Sequence, residues 1–165
     1  METKRTARER ASLQNWWMLT AGALGGALAI GAMLWFSAFS TFPLAAIPFA
    51  TSIVLVMGSP EAEPAQPRAL IGGHLVSTLV GLIVLQIAGP QPWAAAVAVG
   101  LSMLAMRVTG TFHPPAGINP LLVVTMGMPW SFLLMPVAGG ACMLAALAFV
   151  WHNIGGLRSW PRRWW

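Results

Sequence analysis

Several apolar runs that approach the length of a membrane span constrain this chain more than any other feature of its sequence. The longest cover residues 15–37, 69–88 and 131–152, and none of these contains Asp, Glu, Lys or Arg. A helix needs about 20 apolar residues to cross the hydrocarbon core of a bilayer. Only 8% of the 165 residues are charged, whereas soluble domains carry roughly 25%. The sequence therefore predicts an integral membrane protein, with the lipid bilayer as its main partner.

Basic residues are concentrated towards both ends of the chain and explain its net charge of +5. They are Lys4, Arg5, Arg8, Arg10, Arg158, Arg162 and Arg163. Basic segments that flank membrane spans are typical of the cytoplasmic side of a membrane, so no nucleic-acid partner is expected. We expect both termini in the cytoplasm, an even number of crossings, and a bacterial inner (plasma) membrane.

Shorter apolar segments lie between the long runs, which brings the total to six. The segments cover about 15–37, 44–57, 69–88, 93–108, 118–128 and 131–152. At ~1.5 Å per residue, the second and fifth extend only ~21 Å and ~16 Å as helices. The hydrocarbon core is ~30 Å thick. Each short segment must therefore share its crossing with non-helical backbone that is buried in protein or lines a wet cavity.

Three pairs of similar stretches recur in the same order along the chain, which indicates an internal duplication. "TFPLAAIP" at 41–48 resembles "TFHPPAGIN" at 111–119, "VLVMGSP" at 54–60 resembles "VVTMGMP" at 123–129, and "LIGGH" at 70–74 resembles "VAGGA" at 137–141. Each copy holds three segments, and an odd number inverts the second copy relative to the first. In such folds, short or interrupted segments at matching positions indicate the binding site.

The predicted fold is thus an all-α membrane protein, a six-segment helical bundle built as a 3+3 inverted repeat with two short broken or re-entrant helices. The repeat halves cover about 15–88 and 93–152. A basic cytoplasmic segment at 1–14 precedes them, and a Trp/Arg-rich tail at 153–165 follows them as an expected interfacial anchor.

The stretch "TGTFHPPAGIN" at 109–119 interrupts the apolar sequence with residues that disfavour helix. Pro114 and Pro115 prevent the fourth segment from continuing, and Gly117 permits a sharp bend. Asn119 is suited to cap the helix that follows. The loop thus directs a helix N-terminus into the protein, where free N–H groups and the helix dipole attract an anion.

The polar inventory around the short segments favours a small anion. No Asp or Glu lies within any apolar segment, so a carboxylate site for a cation is hard to build. Hydroxyl, amide, imidazole and guanidinium donors are available instead. The candidate ligands are Thr51, Ser52, His74, Arg107, Thr111, His113, Asn119 and the backbone of Gly117.

Structural interpretations of the same residues stay open. Arg107 can extend to the membrane interface at a helix end, and His113 can simply bond loop carbonyls. His74 fits a packed histidine with satisfied hydrogen bonds, although ionisable groups within spans are functional candidates. The three histidines and Cys142 lack metal-ligand spacing, so no metal or other cofactor is expected. The glycine pairs indicate close helix packing.

Two blocks together carry a family resemblance. "HPPAG" at 113–117, preceded by "GSPEAEPAQPRALIGGH" at 58–74, resembles the HPP family of integral membrane proteins, and the resemblance extends over about 15–152. The residues that match are His113, Pro114, Pro115, Ala116 and Gly117 in the first block, and Gln66, Pro67, Arg68, Gly72, Gly73 and His74 in the second.

The resemblance implies a small helical membrane domain, and plant plastid and cyanobacterial members are associated with nitrite transport. Many members follow the motif with small residues, whereas this chain has Ile118, Asn119 and Pro120, so its substrate could differ. We expect passive or proton-linked movement of a small anion, nitrite being the leading candidate. The small number of segments favours a homo-oligomer.

Three other functions stay open. A non-transporting membrane subunit or scaffold would use the HPPAG loop as a structural turn. A membrane-embedded enzyme is disfavoured because the spans lack carboxylates for acid–base work, so no enzymatic activity is expected. Transport of a cation or a neutral solute is the third alternative.

Overall fold

The computed structural model describes residues 2–39, 47–154 and 159–164, and every regular element in these ranges is helical. The α-helices are α1 (Glu2–Phe39), α2 (Ala50–Gly58), α3 (Pro67–Ala88), α4 (Pro92–Val108), α5 (Ile118–Met126) and α6 (Gly139–Asn153). Short 3₁₀ turns cover Ile47–Phe49, Glu63–Ala65 and Pro114–Gly117, and a wide helical turn at Leu133–Ala138 precedes α6. The predicted all-α class is confirmed.

Proline and glycine mark several helix boundaries, as their backbone chemistry requires. Pro67 and Pro92 stand in the first turns of α3 and α4, where a missing N–H costs no hydrogen bond. Gly127 ends α5 in the left-handed conformation at φ 63° and donates its N–H to Val123 O. Glycine is favoured there because it has no Cβ to clash.

Three helical stretches are long and apolar enough to cross a membrane: Trp16–Phe39, Pro67–Ala88 and Leu133–Asn153. The last contains a break at Met135, whose backbone is extended at φ −133° and ψ 122°. Two shorter apolar helices cover Ile47–Gly58 and Pro92–Val108. These stretches follow the predicted segments closely, although residues 44–46 of the second segment lie outside the described residues.

Helices α2 and α5 have nine residues each, which is about 14 Å of helix. The predicted shortness of the second and fifth segments is therefore confirmed. Both helices pack against the long helices: α5 lies against α3 and α4, and α2 lies against α1. Irregular backbone leads into each short helix, at Ile47–Phe49 and at Pro114–Gly117.

Apolar side chains are abundant on the outside of the protein, while several polar ones are buried. Ile87 and Val108 are 81% and 79% exposed, whereas His74 and His113 are fully buried. Extensive exposed apolar surface is typical of proteins that contact a membrane. This distribution fits a helical protein with lipid around it.

The C-terminal segment folds back onto the loop between α2 and α3. Trp160 is only 2% exposed, and its indole Nε1–H donates to Ala65 O at 3.3 Å. Gln66 Oε1 accepts the backbone N–H of Arg162 at 2.8 Å. Within the tail predicted as an interfacial anchor, Trp160 therefore packs into the core, whereas Trp164 is 56% exposed. Residues 155–158 and 165 lie outside the described residues.

Candidate functional site

Four of the predicted site residues meet at one buried place, although they come from four different parts of the chain. Ser52 belongs to α2, His74 to α3, Asn119 to α5, and His113 to the loop before α5. All four side chains are fully buried. Thr78 of α3, also fully buried, completes a group that we call the polar cluster.

Ser52 is the central link of the polar cluster. Its Oγ lies 2.9 Å from Nε2 of His74 and 2.8 Å from Nε2 of His113. The centroids of the two imidazole rings are 5.2 Å apart. The serine hydroxyl therefore bridges the two histidines, since it can donate to one and accept from the other.

The partner of His113 on its other side determines the direction of these bonds. Nδ1 of His113 lies 2.6 Å from Pro64 O, and a carbonyl oxygen can only accept. Nδ1 therefore carries the proton, and in a neutral ring Nε2 must accept. Ser52 consequently donates its hydroxyl proton to His113 and accepts the Nε2–H of His74.

The same direction continues to Asn119. Once Nε2 of His74 donates, its Nδ1 is an acceptor, and Asn119 Nδ2 donates to it at 3.0 Å. Asn119 Nδ2 also donates to Thr78 Oγ1 at 2.8 Å. A directed chain of hydrogen bonds thus runs from Asn119 through His74, Ser52 and His113 to the Pro64 carbonyl.

One atom of the polar cluster is unsatisfied. Asn119 Oδ1 is buried and has no hydrogen-bond partner among the described residues. Such an atom carries a desolvation cost of about 1–3 kcal/mol unless a donor reaches it. The unpaired atom of the polar cluster is therefore a hydrogen-bond acceptor, which the proton of a protonated group could satisfy.

The glycine pair of α3 allows the HPPAG loop to lie directly on that helix. A Cβ atom at Gly73 would stand 2.6 Å from Cβ of His113, and one at Gly72 would stand 2.6 Å from Cγ2 of Thr111. Close packing was expected of these glycines, and the surface that approaches them is the loop. Only glycine leaves room for His113 to reach Ser52.

Asn119 does not have the capping role predicted for it. Helix α5 begins at Ile118, its N-cap residue is Gly117, and no side chain caps it. Asn119 is the second residue of the helix and faces α3, where His74 and Thr78 accept its amide protons. These buried acceptors would lose their partner if the side chain turned back to cap the helix, which explains the difference.

Three predicted ligands lie away from the polar cluster. Thr51 is exposed, because neighbouring residues of a helix point about 100° apart and Ser52 occupies the buried side of α2. Thr111 is nearly buried, and its Oγ1 lies 2.7 Å from Oγ1 of Thr109. Arg107 is exposed, with its guanidinium carbon 3.6 Å above the Phe112 ring centroid.

Arg68 and Arg107, the two arginines away from the ends of the chain, lie near a cavity beside the HPPAG loop. The cavity has a volume of about 400 Å³ and is lined by Glu63, Pro64, Ala69, Arg107, Gly110 and Phe112. Arg68 donates from Nη2 to Thr109 O at 2.9 Å and packs over Gly110. Pro64 lines this cavity and also accepts the Nδ1–H of His113. Pro64 therefore connects the cavity to the polar cluster.

The matched residues of the second block have structural contacts of their own. Gln66 is buried, and its Nε2 donates to Pro60 O at 2.8 Å and to Ala62 O at 3.1 Å. These bonds close the loop that presents the Pro64 carbonyl to His113. Among the described residues, no group of three or more His, Cys, Asp and Glu side chains could hold a metal ion.

Two members of the site were missed at the sequence level. Thr78 stands one helical turn after His74, and this i,i+4 spacing places both on one face of α3. That spacing could have identified Thr78 as a neighbour of His74. The Pro64 carbonyl is a backbone group in a proline-rich loop, and no sequence pattern identifies it as the acceptor for His113.

A family model described as "HPP, transmembrane region" matches residues 8–161. Two Dictyostelium discoideum proteins, each named a transmembrane protein, are 36% identical over 126 residues and 34% identical over 125 residues. Each alignment covers 71% of this chain but only 44% and 40% of the relatives, so the chain spans less than half of their length. No solved structure matches the chain significantly.

Proposed function

The chain belongs to the HPP transmembrane family, and on this premise we propose that it moves a small anion across the membrane, with nitrite as the leading candidate. The observation that carries the proposal is the polar cluster. Ionisable groups within a membrane domain are costly and are candidates for substrate or ion paths. Here two histidines are buried together and joined through Ser52.

The chemistry of the cluster supports an anion over a metal cation. Its members are imidazole, hydroxyl and amide groups, and no carboxylate belongs to it. The N-terminus of α5 lies beside it, and the positive end of a helix dipole favours negative charge. Asn119, on the first turn of that helix, connects the helix end to His74.

The hydrogen-bond directions support proton-linked movement over passive movement. In the neutral cluster, the N–H and O–H donors of Ser52, His74 and His113 are already engaged. An anion therefore finds no free donor among these three residues until one more proton arrives. The ligand is thus best described as the anion together with a proton, which is the chemistry of a small weak acid such as nitrous acid.

The cavity beside the loop supports an electrostatic approach path. Arg107 lines it and Arg68 lies over Gly110 at its edge. Two positive charges near an opening raise the local concentration of anions, an effect that salt screens over roughly 8 Å at physiological ionic strength. We assign this cavity to the cytoplasmic mouth of the path.

A pair of related contacts supports the 3+3 inverted repeat. A Cβ atom at Gly73 of α3 would meet His113, which precedes α5, and one at Gly140 of α6 would meet Phe49, which precedes α2. The two halves thus use a glycine on their third segment in the same way. Residues 41–46 of the first repeated stretch lie outside the described residues.

The arrangement of the ends supports an even number of crossings. Met18 near the start of the first span, the loop residues Pro60 and Glu61, and Ser159 and Arg162 of the tail line one cavity. We infer that both termini are cytoplasmic and that the protein belongs in a bacterial inner membrane. A homo-oligomer would enclose the path more completely than one small bundle.

A second candidate function is a non-transporting membrane subunit. Its support is that His113 is fully buried and bonded on both ring nitrogens, as expected if the loop only fastens α2 to α3. Enzymatic activity is not proposed. In a hydrolase triad a carboxylate accepts the Nδ1–H of the histidine, whereas here the Pro64 carbonyl accepts the Nδ1–H of His113.

Anion flux into liposomes tests the proposal. Purified protein is compared with protein-free vesicles for nitrite, nitrate, formate and chloride, well above the pKa of nitrous acid because that acid crosses bilayers unaided. Selective flux that is lost in His113→Ala and Asn119→Ala, but kept in the control Thr125→Ala on the exposed side of α5, supports transport. Folded wild-type protein without flux above empty vesicles would favour the subunit.

A further inference from the structure

We propose that His74, Ser52 and His113 form a reversible proton relay. This inference rests on the proposed anion transport and identifies the proton as its coupling ion. The relay would bind one proton each time one anion binds at Asn119. Ser52 acts as the switch between the two histidines, not as a direct ligand of the anion.

Geometry provides the relay. The links Asn119–His74, His74–Ser52, Ser52–His113 and His113–Pro64 measure 3.0, 2.9, 2.8 and 2.6 Å between heavy atoms. The first three are within the ordinary range for hydrogen bonds, and the last is slightly shorter. A hydroxyl between two imidazoles can accept a proton from one ring while it gives its own proton to the other.

Each proton moves one position along the relay. A proton from the bound weak acid goes to Nδ1 of His74, and the acid is left as its anion. His74 passes its Nε2 proton to Ser52 Oγ, and Ser52 passes its original hydroxyl proton to Nε2 of His113. The products are the anion, a neutral His74 protonated on Nδ1, an intact Ser52 hydroxyl and an imidazolium at His113. No bond other than O–H and N–H forms or breaks.

The same distances also allow the hydrogen bonds of the relay to run in the opposite direction. His113 now donates from Nε2 to Ser52 and still donates from Nδ1 to Pro64 O, while Ser52 donates to Nε2 of His74. The Nδ1–H of His74 needs an acceptor, and two are at hand: the bound anion and Asn119 Oδ1, the buried atom without a partner. The unsatisfied oxygen is therefore what a relay with two directions requires, since Asn119 serves as donor in one state and acceptor in the other.

Aromatic rings surround His74, and charged groups lie near the His113 end of the relay. The two histidines face each other at 5.2 Å between ring centroids, and the Phe49 ring lies 4.5 Å from His74. At the His113 end, Glu63 and Arg107 line the cavity next to Pro64, and Arg68 lies over Gly110. Glu63 is the negative group on this side, and the two arginines are positive.

The deciding experiment measures protons and anions together. Wild-type proteoliposomes hold a pH-sensitive dye and receive a nitrite or nitrate gradient, with potassium and valinomycin setting the membrane potential and protein-free vesicles giving the background. We expect one proton per anion, and a rate that does not change with membrane potential because the pair is electroneutral.

Ser52→Ala should lower coupled flux by about a hundredfold, the scale of a positioned proton-transfer group. Ser52→Thr, which keeps the hydroxyl, should restore part of it. The matched control is Ser102→Ala, a buried serine whose Oγ donates to Val99 O of its own helix; it should retain wild-type coupling. Thermal unfolding of each purified variant checks that it is folded.

The outcomes separate the relay from the function on which it rests. Anion flux that follows the membrane potential without protons overturns the relay and leaves anion transport intact, and this wild-type result needs no variant to fold. Folded Ser52→Ala protein with full one-to-one coupling also overturns the relay. Absence of any anion flux in wild type overturns the proposed transport and the relay with it.

Discussion

Oγ of Ser52 lies 2.8 Å from Nε2 of His113, although 61 positions of the chain separate the two residues. This bond joins the short helix α2 of the first predicted half to the HPPAG loop of the second. Because the Pro64 carbonyl holds the other ring nitrogen of His113 at 2.6 Å, the imidazole is fixed on both sides. The histidine of the family motif is therefore a link between segments rather than a free loop residue.

Asn119→Ala should destabilise the folded protein by about 1–3 kcal/mol, because Nδ1 of His74 and Thr78 lose a buried donor. Thermal unfolding in detergent measures the change. Thr125→Ala is the control, since its hydroxyl bonds only Leu121 O of the same helix on an exposed face. Equal stability of the two variants would contradict the assigned role of the asparagine.

Gly73→Ala should destabilise the protein by about 1–3 kcal/mol, the usual cost of overpacking. The added methyl group would lie 2.6 Å from Cβ of His113 and 2.8 Å from Thr111 O, so the loop must move away from α3. Gly100→Ala is the matched control, because nothing lies within 4 Å of its added Cβ.

The control substitution should stabilise α4 slightly, since alanine favours helix by about 0.5–1 kcal/mol over glycine. Denaturant titration of both variants gives the difference in the free energy of unfolding. If Gly73→Ala were as stable as Gly100→Ala, the close approach of the loop to α3 would be wrong.

Trp160→Ala should cost about 3–5 kcal/mol, the range for removing a large aromatic side chain from a core. Trp160 is 2% exposed and packs among residues of α1, α2 and α6. Trp164→Ala, at a side chain that is 56% exposed, should change stability by less than about 0.5 kcal/mol. Thermal unfolding of the two variants in the same detergent tests this contrast.

Single cysteines should reveal whether α5 contributes to a full crossing. In a Cys142→Ser background, cysteines at Val108, which is 79% exposed, and at Met128 lie on either side of α5. The inverted repeat predicts that an impermeant thiol reagent labels Val108→Cys from the cytoplasmic side and Met128→Cys from the opposite side. Labelling of both from one side would mean that the segment re-enters, and would contradict a 3+3 arrangement.

Much of the helical plan follows from local sequence. The apolar runs set the number and length of the long helices, and Pro67, Pro92 and Gly127 stand where helices begin or end. These are effects of backbone chemistry and of transfer into lipid, and both act on neighbouring residues. The shortness of the second and fifth segments could be predicted for the same reason, since Pro43 and Pro60 bound the second and Pro115 and Pro129 bound the fifth.

The membership of the polar cluster could be predicted only in part. Ser52, His74, His113 and Asn119 are candidates by residue type alone, but so are Thr51, Thr111 and Arg107, which lie elsewhere. Position on a helix separates Ser52 from Thr51, because adjacent residues point to different sides. Which side faces the protein depends on how α2 packs.

By itself, then, the sequence determined a helical membrane protein of the HPP type, with two short helices and a proline-interrupted loop, because these features depend on residues near each other in the chain. Tertiary structure alone decided that Ser52 bridges His74 and His113, that Asn119 bonds α3 instead of capping α5, and that Trp160 is buried. The physical reason is that a polar side chain takes the partners that close packing brings to it. That packing depends on contacts such as Gly73 with His113, between residues far apart in the chain.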